Sequence, residues 1–169
     1  HDGSILSSED IKATYERIIK PPEGVISARK ALHEDIIAID APDDHTVVFR
    51  LKSPNASMVN NFASPFNCVY SAKKLKEDPK YPEKEPMGTG PFVYVNYVKG
   101  ATWEGKRFEQ YFEAGKPYLD GYKAFFVKAN AVVPGMQGGQ FDAEFRGRTP
   151  KERDQLVDAM KDKVTVMEG

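Results

Sequence analysis

The segment between residues 36 and 52 constrains the fold more than any other part of the sequence. Ile37 and Ile39 stand two positions apart before the turn-forming residues Pro42, Asp43 and Asp44. Beyond that turn, apolar side chains again occupy every second position, at Val47, Phe49 and Leu51. A period of two is the period of a β-strand, and the prolyl and aspartyl residues favour a turn. The segment therefore predicts a β-hairpin with one apolar face against a core.

A helix is predicted upstream of the hairpin. Ser7 or Ser8 can cap its free amides, and Asp10 stands three residues after Ser7, which is the spacing of a capping box. Pro21 and Pro22 end the helix, because proline donates no backbone hydrogen bond. Apolar residues fall on one face of it at Ile11, Tyr15, Ile18 and Ile19.

The rest of the chain mixes short helices and strands. Helices are predicted at residues 25–33, 56–62 and 129–137, within 71–86, and from residue 150 with Thr149 as its cap. Strands are predicted at residues 66–70, 92–98, 122–128, 141–145 and 164–166. The order lacks strict βαβ alternation, so the fold class is α+β, or mixed α/β.

Composition narrows the class of protein. Hydrophobic residues make up 40% and charged residues 29% of the 169 residues, which is a globular balance. The net charge of −1 gives no electrostatic reason to expect nucleic acid or an anionic membrane as partner. The longest apolar runs are short, as at residues 124–127, and none of them is long enough to span a bilayer.

The residues that carry metal or catalytic chemistry are scattered. No pair among His1, His33 and His45 has the spacing of zinc ligands, and no Gly-x-Ser-x-Gly motif is present. Cys68, the one cysteine, stands between apolar neighbours and is expected to be a small buried residue. Residues 88–90, Gly-Thr-Gly, lack the ending of a phosphate-binding loop and predict a tight turn. We therefore predict no catalytic residue, metal or cofactor.

Five short motifs, taken in order, resemble the family 5 extracellular solute-binding proteins of ABC importers. They are His-Asp-Gly-Ser with Leu-Ser-Ser-Glu-Asp-Ile and Tyr-Glu-Arg in residues 1–17, the hairpin with Asp-Ala-Pro-Asp, Met-Gly-Thr-Gly-Pro-Phe at 87–92, Lys-Pro-Tyr-Leu-Asp at 116–120 and Gly-Gly-Gln-Phe-Asp at 138–142. Each motif is short, and the specificity lies in their order and spacing over nearly the whole chain.

The resemblance implies a partial periplasmic-binding-protein-like fold. Residues 1–86 would form part of the small extra domain, and residues 87–169 would return into the first lobe. It also implies a periplasmic solute-binding component that is not an enzyme. Such a protein closes two lobes around a peptide, or a related small solute, and delivers it to an ABC permease in the membrane.

Three stretches resemble the family's ligand-contacting loops. The resemblance places Val25 and Ser27 in the first loop, Phe66 and Asn67 in the second, and Phe145 and Arg146 in the third. Arg146 would pair with a carboxylate in bidentate geometry if it faces the cleft. The alternatives are that Val25 and Phe66 belong to the core and that Arg146 is an exposed loop charge.

Two other functions remain open from the sequence. One is a hydrolase or transferase that uses Glu104, Glu144 or Cys68, which requires a titratable group with a perturbed pKa in a pocket. The other is a stand-alone structural or interaction domain with a self-sufficient core. A fragment of a larger fold would instead expose an apolar face or cover it by self-association.

Overall fold

The computed structural model describes residues 1–146 and 149–167. It contains α1 (Ser8–Ile19), β1 (Ile36–Asp43), β2 (Thr46–Leu51), α2 (Met58–Phe62), α3 (Ala72–Glu77), α4 (Tyr81–Lys84), β3 (Phe92–Val98), β4 (Thr102–Arg107), β5 (Gly121–Phe125), α5 (Ala129–Gln137) and α6 (Pro150–Met160). Short 3₁₀ turns lie at Lys30–His33 and Lys161–Lys163. The mixed helix-and-sheet class predicted from the sequence is confirmed.

The chain divides into two compact units. The first unit comprises His1–Asn96 and Glu104–Tyr122, and the second comprises Tyr97–Trp103 and Lys123–Gly169. One sheet pairs β1 with β2, and the other has the order β3-β4-β5. No helix in the described part of the chain has the length and apolar character to cross a membrane.

The predicted hairpin is confirmed, with its turn displaced towards the C-terminus. Asp43 pairs with Thr46, so the two turn residues are Asp44 and His45, and Pro42 lies inside β1. The pairing register shifts between Asp40 and Asp43, which accommodates a proline that cannot donate to the ladder.

A second register shift changes which isoleucines are buried. It lies between Ile36 and Ala38, and it turns Ile36 and Ile39 inward while Ile37 is 66% exposed. The strict alternation of Ile37 with Ile39 that the sequence predicts is therefore interrupted.

The core of the first unit forms where α1 packs on the hairpin. Tyr15, Ile36, Ile39 and Met58 are buried together. The Tyr15 ring makes edge-to-face contacts with the rings of Phe49 (5.1 Å), Phe62 (5.3 Å) and His33 (5.3 Å). Such contacts add to the burial of large apolar area and so fix the helix on the sheet.

The predicted start of α1 is confirmed, and Asp10 does more than cap it. One Asp10 carboxylate oxygen accepts the Ser7 N–H at 2.8 Å. The other oxygen accepts the Ala72 N–H, also at 2.8 Å, at the start of α3. A single carboxylate therefore joins the N-termini of two helices.

The second unit is built on α5 and α6. Val132, Met136 and Leu156 form its buried cluster. The predicted cap of α6 is confirmed, because Thr149 Oγ1 accepts the Glu152 N–H and Glu152 accepts the Thr149 N–H. A Cβ at Gly135 would come within 2.3 Å of the Phe141 ring, so the glycine permits this close contact.

Several predicted elements are absent from the described residues. Within 25–33 only Lys30–His33 forms a turn of 3₁₀ helix, and residues 66–70, 141–145 and 164–166 form no strand. In residues 66–70, the Tyr70 N–H donates to the Thr14 hydroxyl at 2.9 Å, so a side chain of α1 takes the place of a neighbouring strand.

Two burial predictions are wrong. Cys68 is exposed, and its thiol contacts the Pro65 carbonyl. The alternative that Phe66 belongs to the core is also wrong, because Phe66 is exposed. Apolar composition indicated burial, but the segments that carry these residues lie in loops at the surface.

Candidate functional site

Two of the three predicted binding loops adjoin in the first unit. The guanidinium carbon of Arg29 lies 4.5 Å from the centroid of the Phe66 ring. The Asn61 side-chain amide also donates to the Leu32 carbonyl at 2.9 Å. The loop that follows α1 and the loop that follows α2 therefore form one surface, which we call the Arg29–Phe66 surface.

The first loop is fastened to the end of α1. The Ser27 hydroxyl donates to the Ile18 carbonyl at 2.7 Å, and the Val25 N–H donates to the Pro22 carbonyl at 3.0 Å. Val25 is half-buried. Because the Ser27 hydroxyl hydrogen is used within the protein, its main effect is to fix the position of the loop.

The second loop presents an aromatic ring to solvent. Phe66 is 68% exposed. The Asn67 side-chain amide donates to the Asn61 carbonyl at 2.6 Å, and the Asn67 N–H donates to the Ser64 carbonyl at 3.0 Å. Asn67 thus holds the backbone of the loop, and Phe66 is the side chain that is accessible.

The third predicted loop belongs to the second unit. Phe145 is 87% exposed, and Arg146 is exposed as well. The Arg146 N–H donates to the Glu144 carboxylate at 2.7 Å. Four of the six predicted site residues, namely Val25, Ser27, Phe66 and Asn67, therefore lie in two loops of the first unit, and Phe145 and Arg146 lie in the second unit.

Arg29 is the residue of this surface that the sequence analysis missed. It stands two positions after Ser27, next to the predicted loop. The contact that makes it notable joins it to Phe66, 37 positions away, and no local pattern signals such a pair. An arginine close to a predicted ligand loop was the one signal available.

Two tyrosine hydroxyls close to this surface have raised pKa values. Burial raises the pKa of the Tyr70 hydroxyl, and the nearby Cys68 adds to this effect, whereas Arg17 and Arg29 oppose it. Burial likewise raises the pKa of Tyr15, against a hydrogen bond with Asn67. Both phenols therefore stay neutral at neutral pH and place no negative charge beside the arginines.

A concave surface lies between α1, β1 and α3. It encloses about 560 Å³. Four consecutive β1 residues, Ile36, Ile37, Ala38 and Ile39, line it. Because successive side chains point to opposite faces of a strand, the groove runs along an edge of β1. Within the described residues β1 pairs with β2 alone, so this edge carries unpaired backbone groups.

The residues of the hydrolase hypothesis have local contacts. The Cys68 thiol contacts the Pro65 carbonyl, and the Glu144 carboxylate accepts the Arg146 N–H. In residues 1–146 and 149–167, no group of three or more His, Cys, Asp or Glu residues has an arrangement suited to a metal ion. These contacts give the hydrolase hypothesis no support.

Comparison with known proteins identifies the family. The model of the bacterial extracellular solute-binding proteins, family 5 Middle, matches residues 1–168. The chain belongs to this family, and the resemblance seen in the sequence motifs is confirmed.

The glutathione-binding protein GsiB of Pectobacterium atrosepticum is 32% identical over 120 residues, which cover 71% of this chain and 23% of that protein. The oligopeptide-binding protein AppA of Bacillus subtilis is 28% identical over 84% of this chain and 27% of its own length. The chain therefore spans about a quarter of the length of these curated relatives.

Solved structures confirm the fold. The binding protein AgaA from A. tumefacien R10, solved with agropinic acid, superposes with a TM-score of 0.75 at 30% identity, over 84% of this chain and 29% of that one. AppA from Bacillus subtilis, solved with a nonapeptide, gives a TM-score of 0.71 at 25% identity over 84% and 29%. The chain has the fold of part of a periplasmic binding protein.

Proposed function

We propose that this chain is part of the solute-binding component of an ABC importer. The component binds a peptide or a related small solute in a cleft between two lobes and delivers it to a membrane permease. The observation that carries the proposal is the match of residues 1–168 to the family. Relatives named as glutathione-binding, di/tripeptide-binding and oligopeptide-binding support a peptide-like solute.

The segment has a defined place in that component. Residues 1–86 form part of the small extra domain, and residues 87–169 return into the first lobe. The site of action is the periplasm, because a solute must be captured before it reaches the permease. The component binds and releases its solute chemically unchanged, so no catalytic residue takes part.

The contacts to solute come from the three loops. Val25, Ser27, Phe66 and Asn67 supply contacts from loops of the first unit, and Phe145 and Arg146 supply contacts from a loop of the second unit. Small-molecule clefts are lined mainly by apolar and aromatic groups, with a few polar groups that fix orientation. Exposed Phe66 and the arginine next to it match that composition.

Titration calorimetry tests the proposal. The complete polypeptide that carries this segment is titrated with short peptides, and so are the isolated 169 residues. We expect measurable binding only by the complete polypeptide, because half a cleft buries too little solute to offset the entropy lost on association. Tight binding by the isolated residues would show that no second lobe is needed and would contradict the two-lobed site.

A substitution pair tests the placement of the site. Phe66→Ala in the complete polypeptide removes an exposed ring of the second loop. It should weaken peptide binding about tenfold, the range expected for loss of an aromatic contact. Phe112→Ala is the matched control, because Phe112 is 77% exposed and lies outside the three loops. Equal affinity of the two variants would place the site elsewhere.

A further inference from the structure

We propose that Arg29, held against the Phe66 ring, is the residue that binds a carboxylate of the solute. The proposal rests on the proposed function and names the chemical group that this site recognises. It concerns a residue that the sequence analysis did not include in the site.

The geometry of the pair suits anion recognition. The Arg29 guanidinium lies over the Phe66 ring at 4.5 Å, which is within the range of a cation–π contact. A guanidinium carries its N–H donors in its own plane, in a fixed arrangement. Those donors match the two oxygens of a carboxylate in bidentate geometry.

Arg29 differs from Arg50 and Arg107 in its partners. Arg50 pairs with Asp40 at 2.6 Å, and Arg107 pairs with Asp120 at 2.7 Å. Within residues 1–146 and 149–167, Arg29 makes no ion pair, and its side-chain contact is with the Phe66 ring. Its charge is therefore available to a carboxylate from outside the protein.

The backbone of Arg29 is fixed on a rigid support. The Arg29 carbonyl accepts the Leu32 N–H at 3.1 Å and lies 3.1 Å from the His33 ring nitrogen Nδ1, which donates to it. His33 is fully buried, and its ring contacts those of Tyr15 and Phe62 in the core. Arg29 is thus connected through His33 to the hydrophobic core. Because its backbone is already held in place, less conformational entropy of the loop is lost when Arg29 binds a ligand.

The Tyr70 hydroxyl near Arg29 stays uncharged at neutral pH. Arg17 lies 5.9 Å from the Tyr70 ring, and both Arg17 and Arg29 act electrostatically on the Tyr70 hydroxyl. Burial is the dominant influence on that hydroxyl and raises its pKa, so Tyr70 does not supply a competing anion.

Native mass spectrometry of the complete polypeptide tests whether Arg29 binds a carboxylate, with two peptide mixtures. The first holds tripeptides without Asp or Glu, in equal amounts as free acids and C-terminal amides. The second holds amidated tripeptides that carry either one Glu or one Gln. We expect the wild type to prefer the carboxylate form about ten- to a hundredfold in one of the two mixtures, since hydrogen bonds to charged groups have that strength.

The variants identify the residue responsible. Arg29→Gln should abolish the preference, and Arg29→Lys should retain a fraction of it because lysine keeps the charge without the planar fork. Phe66→Leu, which leaves Arg29 in place without its ring, should reduce the preference by a smaller factor. Arg50→Gln is the control and should keep the wild-type preference. Circular dichroism confirms that each variant is folded.

Three results would contradict the proposal that Arg29 binds a carboxylate of the solute. If folded Arg29→Gln keeps the wild-type preference, another residue binds the carboxylate. If the wild type captures peptides from both mixtures without preference, the solute is not held by a carboxylate, and the proposed function still stands. If the wild type captures no peptide from either mixture, carboxylate binding by Arg29 and the proposed peptide-binding function both fail.

Discussion

The two units assemble their cores from different kinds of contact. The first unit gathers residues that are far apart in the sequence, because Tyr15 of α1 meets Phe49 of the hairpin and Phe62 of α2. The second unit packs Val132 and Met136, one turn apart on α5, against Leu156 of α6. The first core therefore requires several elements to be placed at once, whereas the second requires two helices to meet.

The same capping motif shows this difference in its polar contacts. In the second unit, Thr149 and Glu152 exchange hydrogen bonds with each other and complete one helix. In the first unit, Asp10 caps α1 and also accepts the Ala72 N–H of α3, 62 positions away. An identical local signature thus has a local role in one unit and a tertiary role in the other.

The largest effect is expected from Tyr15→Ala. It removes three aromatic contacts and leaves a cavity, at a cost of about 3–5 kcal/mol. Hydrogen exchange measured by mass spectrometry should show loss of protection in α1, β1 and β2 while α5 and α6 keep theirs. Equal loss in α5 and α6 would show that the two units unfold together, which would remove the distinction between them.

The next largest effect is expected from a substitution in the core of the second unit. Leu156→Ala should cost about 2–4 kcal/mol, because it removes a buried side chain from the small α5–α6 cluster. Val157→Ala is the matched control on the same helix, and with Val157 partly exposed it should change stability by less than about 0.5 kcal/mol. Exchange protection in α1 should stay at its wild-type level in both variants, and a decrease there would argue for coupled cores.

The smallest effects are expected from substitution of the two capping carboxylates, those of Asp10 and Glu152. Asp10→Ala should cost about 2 kcal/mol, since it removes two charge-assisted hydrogen bonds and releases α3, whereas Glu152→Ala should cost below about 1 kcal/mol. Urea denaturation gives both values, and hydrogen exchange shows whether α3 loses protection. Similar costs for the two variants would mean that the Ala72 contact adds nothing to stability.

The sequence predicted what depends on neighbouring residues. The period of β2, the cap of α6 at Thr149 and the bounds of β3 and α5 all follow from local pattern and are confirmed. The same pattern failed at residues 66–70, where the Thr14 hydroxyl from α1 takes the hydrogen bond that a neighbouring strand would have supplied. A contact of that kind is decided by tertiary structure.

The same distinction between local pattern and tertiary contact applies to the candidate site. Phe66 and Ser27 were reached through family motifs, and the structure places their loops on one surface. Arg29 was not reached, because its importance lies in a contact with Phe66 across 37 positions. The register shift that exposes Ile37 was equally hidden, since it depends on how β2 meets β1.

The exposure of Cys68 has a practical consequence. It is the one cysteine of the sequence and lies two positions from Phe66. A thiol-reactive dye would therefore attach to this segment at one known place, beside the Arg29–Phe66 surface. A change in the dye's emission when solute is added to the complete polypeptide would report occupancy of the site without a transport assay.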